Sequence, residues 1–270
     1  MSNSPKVVLV TGASGGFGDV LARKLAREGV HVYGTMRAPN AAASDLPFTM
    51  LPMEISDPTS IDACIRGVLE REGRIDAVVN CVNQMVIGSV EEQTVDEVRA
   101  LYETNVFGVL AVCQRVLPVF REQGAGTIVN MSSLGGLFAV PFMSAYTSAK
   151  FALEALTESL YHELRKEPID VVIMQPVAMR MDRPALGAHL HTVAGVGPDS
   201  RSQRMVERMA ADTAASTLTP EAVAEKVHAV LLSDSKPLRV PLGRAKPMSL
   251  LKRLAPQAVV DKMIGALLPD

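Results

Sequence analysis

Short runs of consecutive apolar, mostly β-branched residues alternate along this chain with longer stretches in which apolar residues recur every three or four positions. Residues 6–11, 30–35, 48–53, 75–80, 126–131, 169–174 and 238–241 read as strands. The runs are continuous rather than alternating, which is the pattern of strands covered on both faces. Residues 17–28, 60–72, 95–123, 146–166 and 220–233 carry the helical period. Strand and helix in alternation predict an α/β fold: a parallel, doubly wound sheet of about seven strands, with right-handed crossovers placing helices on both faces.

The regular pattern lapses over 178–219, where Met, His, Gly and Arg mix without a clear strand and a helix is expected only over 202–212. Irregular segments of this length are usually functional or disordered. Met179, Met181, Leu186, Leu190, Val193, Met205 and Met209 either contact an apolar ligand or fill the gap between a covering segment and the core. His189 and His191 read as exposed loop histidines rather than ligands, and His162 as a surface or subunit-contact residue. An apolar tail over 248–268, broken by Pro256, reads as a core-packing or subunit-contact helix pair in preference to a membrane attachment.

With 48% apolar residues in 270, the chain can build a large core without metals or disulfides. Its net charge of −2 gives no footing for nucleic acid or an anionic membrane. Cys64, Cys81 and Cys113 are spaced too widely for a metal site, and each reads as a buried thiol in a reducing compartment. No metal is expected. The N-terminus is short and polar, and no stretch approaches the ~18 apolar residues of a spanning helix. A soluble, cytoplasmic protein with no integral membrane association is therefore expected.

Thr11-Gly12-Ala13-Ser14-Gly15-Gly16-Phe17-Gly18 closes the first predicted strand and opens the first predicted helix. In that setting Gly12 allows the tight turn, Gly16 the approach of a pyrophosphate, and Gly18 close helix–sheet packing. The free N–H groups of the helix start favour the phosphates, so Gly12, Ser14, Gly16, Phe17 and Gly18 are candidate dinucleotide contacts. The end of the second strand selects between dinucleotides. Val32-Tyr33-Gly34-Thr35-Met36-Arg37 lacks the acid that accepts from a ribose 2′-hydroxyl, and Arg37 suits a 2′-phosphate, which favours NADP(H) over NAD(H). The alternative is a solvated surface arginine.

Tyr146 and Lys150 lie four apart and share a helix face. A free phenol, with a pKa of about 10, is a poor base at neutral pH, and a neighbouring ammonium is expected to favour its ionised form. Upstream, a buried strand ends in the hydroxyls of Ser132 and Ser133, and strand C-termini in such sheets face the ligand crevice. Val140, Phe142 and Met143, just before Tyr146, are candidate pocket residues.

Taken together, the glycine loop, the Thr104-Asn105-Val106-Phe107-Gly108 segment, the Ile128-Val129-Asn130-Met131-Ser132-Ser133 strand and the Tyr146–Lys150 helix resemble the short-chain dehydrogenase/reductase family over 6–176. The segment at 34–37 and the helix after Asn105 look most like its hydroxysteroid and retinol dehydrogenase branch. The resemblance implies a single Rossmann-type domain over 1–270, with a substrate-covering segment at about 178–219 and a helical tail at 244–270. It implies Tyr146 as general acid and base, Ser133 as hydrogen-bond partner of the substrate oxygen, Lys150 as ribose ligand and modulator of the phenol, and Asn105 as holder of a water. Asn80, Glu54, Ile55 and Pro176 map to cofactor contacts. A hydrophobic alcohol or ketone is the implied substrate, and a homodimer or homotetramer the implied assembly.

Three positions depart from the family pattern. Asn83 and Val177 stand where glycines are usual, and Met181 where a threonine is usual. Asn83 is expected to tolerate a left-handed backbone in the turn. The departures leave two alternatives beside redox chemistry: acid/base isomerisation, cyclisation or elimination on the same fold, or a non-catalytic nucleotide-binding protein.

Overall fold

The computed structural model describes residues 6–39, 45–180 and 190–268. Among these, seven parallel strands form one sheet in the order β3-β2-β1-β4-β6-β7-β9. They are β1 (Val7–Thr11), β2 (His31–Met36), β3 (Thr49–Pro52), β4 (Ala77–Asn80), β6 (Gly126–Met131), β7 (Ile169–Gln175) and β9 (Arg239–Pro241). The strand order reverses between β1 and β4, so a crevice opens at their C-terminal ends.

Both faces of the sheet are buried, which explains the continuous apolar runs. Val7 and Leu9 face α2 (Pro58–Glu72), α4 (Gly108–Gln123) and α5 (Ser144–Glu163) in one cluster. Val8 and Val10 face α1 (Gly16–Arg27) and α7 (Pro220–Leu232) in the other. A third cluster sits beyond the strand ends, where Ile87, Leu101, Met143 and Tyr146 pack together with Met205 of α6 (Arg201–Ala214).

Two departures from the expected elements bear on the crevice. The periodicity over 95–123 continues unbroken, yet the structure divides it into α3 (Val95–Tyr102), a π-helical turn (Glu103–Phe107) and α4. A single inserted residue makes such a turn without disturbing the apolar spacing on either side. In addition, β5 (Met85–Ile87) pairs in parallel with β8 (Leu190–Thr192) as a separate two-stranded sheet. Each strand has three residues, too few to carry a period. The expected helix in the irregular segment is present as α6, and the tail folds as α8 (Ala245–Leu254) and α9 (Gln257–Gly265) on either side of Pro256.

Candidate functional site

A cleft of about 800 Å³ lies at the C-terminal ends of the strands. Gly12, Ser14, Gly16, Phe17, Gly18, Arg37, Glu54, Ile55, Ser133, Tyr146, Lys150 and Pro176 all line it, so the structure brings together residues from five strand ends. Asn80 and Asn105 do not line it.

The glycine loop is shaped by backbone demands. Gly12 sits at φ +69°, a conformation that L side chains rarely adopt. Its N–H donates to Thr35 Oγ1 (3.2 Å), and Ala13 N–H donates to the Thr35 carbonyl (2.9 Å), which clamps the loop to β2. A Cβ on Gly18 would stand 2.2 Å from the Gly12 carbonyl oxygen. Side chains cap the N-termini of α2, α3, α6 and α7, whereas the start of α1 at Gly15, like those of α5, α8 and α9, has no side-chain cap. The loop therefore fits a pyrophosphate. Gly18→Ala is expected to shift this backbone, costing ~1–3 kcal/mol of stability and weakening nucleotide binding by roughly ten-fold or more. Thermal melts and fluorescence titration check both; an unchanged protein removes the close-packing argument.

Arg37 is exposed at the end of β2 and has no ion pair among the described residues. Glu54 accepts hydrogen bonds from Ser56 N–H (3.1 Å) and Ser56 Oγ (2.8 Å), both on Oε1.

Asn80 and Asn105 lie behind the cleft wall. Thr11, Asn80 and Asn130 are paired neighbours at the same level of β1, β4 and β6. Their side chains join in one buried row: Thr11 Oγ1 donates to Asn80 Oδ1 (3.4 Å), Asn80 Nδ2 to Asn130 Oδ1 (2.8 Å) and Asn130 Nδ2 to Thr157 Oγ1 of α5 (3.0 Å). The row ties α5 to the sheet beneath Tyr146 and Lys150. Asn105 points out of the π-turn, accepting from Gln84 N–H (2.8 Å) and donating to the Gln84 carbonyl (2.7 Å). It thereby fixes the cleft-lining turn after β4 through one donated and one accepted bond.

Ser133, Tyr146 and Lys150 meet in the cleft. Ser133 Oγ accepts from Gly135 N–H at 3.1 Å. Lys150 donates to the Met131 carbonyl (2.9 Å), and its Nζ is 5.7 Å from the centre of the Tyr146 ring. Both are buried, Tyr146 at 6% and Lys150 at 2% exposure. Burial pushes the phenol above its ordinary value, and a hydrogen bond from Ser133 partly offsets this. Burial also brings Lys150 down to about 8, against the carboxylate field of Glu154 among others. For the protein's own groups, desolvation therefore sets the direction in which the phenol is moved.

Phe142 adopts φ 62° in the turn before α5, the one non-glycine at positive φ among the described residues. Val140 and Met143 line the cleft; Phe142 does not. Asn83 also lines the cleft, but not in a left-handed conformation, so the turn survives its lost glycine without one. Its Oδ1, and Oγ of Ser132, are buried without a hydrogen-bond partner. Val177 lines the cleft while one of its methyls faces Gly243. Met181, Leu186 and His189 lie outside the described residues, as do the side chains of Leu190 and His191.

The covering segment divides by role. Met205 and Val193 are buried fillers, whereas Met179 and Met209 line the cleft. Met248 of α8, Ile264 of α9 and Leu267 line it too, so the tail forms part of the wall, beyond the packing role expected of it. Cys64 and Cys113 are buried, but Cys81 is only half-buried and borders the cleft, contrary to expectation. Among the described residues no His, Cys, Asp and Glu group is arranged to hold a metal, and no helix is long and apolar enough to cross a membrane.

The profile of the short chain dehydrogenase family matches residues 6–184. A 3-ketodihydrosphingosine reductase of Bacteroides thetaiotaomicron is 35% identical over 172 residues, covering 64% of this chain and 63% of that protein. The uncharacterized oxidoreductase YbbO of Escherichia coli is 30% identical over 263 residues, 96% of this chain and 94% of that one. A short-chain dehydrogenase from Streptomyces avermitilis superposes with a TM-score of 0.83 at 31% identity, over 98% of this chain and 99% of that one. Each match is to a redox protein, which disfavours the isomerase, lyase and non-catalytic alternatives.

Proposed function

The chain belongs to the short-chain dehydrogenase family, an oxidoreductase type, and from that premise we propose that it interconverts a hydrophobic secondary alcohol and its ketone with NADP(H). The observation that carries this reading is one cleft shared by the phosphate loop, the Ser133–Tyr146–Lys150 group and an apolar wall of Val140, Met143, Met179, Met209, Met248 and Leu267. A bound nicotinamide supplies or takes up the hydride. Ser133 hydrogen-bonds the substrate oxygen, and Tyr146 gives that oxygen a proton in reduction and removes it in oxidation. Lys150 binds the nicotinamide ribose. Asn105, on its π-turn, holds the expected water.

Gly12, Ser14, Gly16, Phe17 and Gly18 hold the pyrophosphate in this reading, Glu54 and Ile55 border the adenine, and Pro176 lies on the nicotinamide side. The name of the Bacteroides relative, a ketone reductase, supports the substrate class. Phe107, Phe151 and Leu156 are 49%, 43% and 38% exposed on the helical segments that carry Asn105 and Tyr146, which supports pairing there into a homodimer or homotetramer.

Titration with NADPH and NADH, followed by turnover on a panel of apolar ketones, tests the proposal. Tight NADPH binding with oxidation is the expected result; no binding of either nucleotide, or binding without turnover across the panel, overturns it. Arg37→Ser is expected to weaken NADPH roughly 10- to 100-fold, the loss of a charge-assisted phosphate contact, and NADH by no more than about two-fold. Equal losses remove the NADP(H) preference.

A further inference from the structure

The tail carries apolar side chains on two sides. Its inner side closes the cleft through Met248, Ile264 and Leu267, with Lys252 held 5.5 Å above the ring of Phe138, another cleft residue. Its outer side leaves Leu250, Leu254, Val259 and Leu268 exposed at 57%, 74%, 48% and 44%. Helical spacing puts Lys246, Leu250, Arg253 and Leu254 on one stripe of α8, so the outward leucines stand between cations.

The charge of this segment also sets it apart. Residues 244–270 hold five basic side chains (Arg244, Lys246, Lys252, Arg253 and Lys262) and two acidic ones, Asp261 and Asp270. The chain as a whole is net −2, so a strongly positive segment sits on an otherwise acidic protein. A second copy is a poor occupant of this face, since a two-fold contact would set like charge against like. Exposed leucines interleaved with lysine and arginine match an anionic lipid surface, which takes the apolar side chains below its headgroups and the cations among them.

We propose that α8 and α9 seat this protein peripherally on an anionic lipid surface. The helices that touch the lipid are the same helices that wall the cleft. An apolar substrate therefore passes from the bilayer to Tyr146 along the tail without crossing bulk water. That last consequence rests on the proposed reaction; the docking itself does not. The chain's small net charge gave no hint of this face, because the positive tail is cancelled by acids elsewhere.

Co-sedimentation of the full-length protein with lipid vesicles tests the docking, without substrate or nucleotide, so its outcome is independent of the proposed reaction. Vesicles of phosphatidylcholine alone are compared with vesicles that also contain phosphatidylglycerol. Binding to the anionic vesicles is expected, weakened by high salt. It should fall roughly ten-fold or more in Leu250→Ser/Leu254→Ser, and likewise in Lys246→Glu/Arg253→Glu. Both variants should retain wild-type circular dichroism and NADPH affinity. No binding to either vesicle, or binding that neither salt nor the substitutions reduce, overturns the proposal. Should the leucine variant instead alter the size-exclusion profile while vesicles leave the wild type in solution, the face is a subunit contact and the proposal fails.

Discussion

Tyr146→Phe is expected to leave nucleotide affinity within about two-fold of wild type while lowering kcat by ~10²–10⁴, the usual contribution of a positioned general acid. The substitution removes one oxygen from a buried ring and keeps the packing of that ring in the third apolar cluster. What disappears is the proton carried at the substrate oxygen and the partner of the Ser133 hydroxyl. Because burial holds the phenol above its ordinary value, it stays protonated at neutral pH, the form that reduction needs. Oxidation needs the other form, so its rate should climb with pH where that of reduction does not. Single-turnover measurements in both directions check this. A variant that keeps more than about a tenth of wild-type kcat is incompatible with a phenolic acid.

Lys150→Met is expected to raise stability and abolish turnover together. The ammonium is 2% exposed, and its folded value of about 8 lies below its ordinary 10.5. Between those values the unfolded chain binds more protons than the folded one, so stability rises with pH across that window. Below it the buried charge costs about 3 kcal/mol, from which about 1 kcal/mol is regained through its bond to the Met131 carbonyl. Denaturant melts at pH 7 should therefore show the variant about 2 kcal/mol more stable, with the advantage gone at about pH 9.5 and wild type ahead by about 1 kcal/mol above pH 10.5, where its neutral amine still bonds the Met131 carbonyl. Titrations of other groups are common to both proteins and cancel in the difference. A variant less stable than wild type at pH 7 contradicts the claim that this cation is retained for chemistry. In wild type, kcat/KM for reduction should fall above about pH 8, as Lys150 gives up its proton.

The sheet was legible because both its faces are buried, which turns each strand into an unbroken apolar word between polar turns. The loop from Gly12 to Gly18 and the Tyr146–Lys150 pair were legible because each lies within one local stretch. What escaped depends on distance. The pairing of β5 with β8 joins positions about a hundred residues apart through three residues each. The fall in the lysine's affinity for protons comes from neighbours brought in by several elements. The polar row was missed although a signal existed: β1, β4 and β6 each carry Thr or Asn at the matching level, Thr11, Asn80 and Asn130. Aligning the strand ends would have suggested a shared side-chain network at this level of the sheet. The turn at Asn83 was expected to need a left-handed residue and does not.

The extra residue in the π-turn acts as a phase shifter between two helical segments. An α-helix rotates about 100° with each residue, so excising one residue from Glu103–Phe107 would restore regular winding only by swinging α3 through that angle. Leu101, now fully buried, would turn away from its cluster. Glu97, which closes the capping box with Thr94 and also accepts from Ala194 N–H (3.1 Å), would lose its grip on the segment after β8. The irregularity that lets Asn105 reach Gln84 therefore also sets where the cover of the cleft is moored, and the two cannot be altered separately.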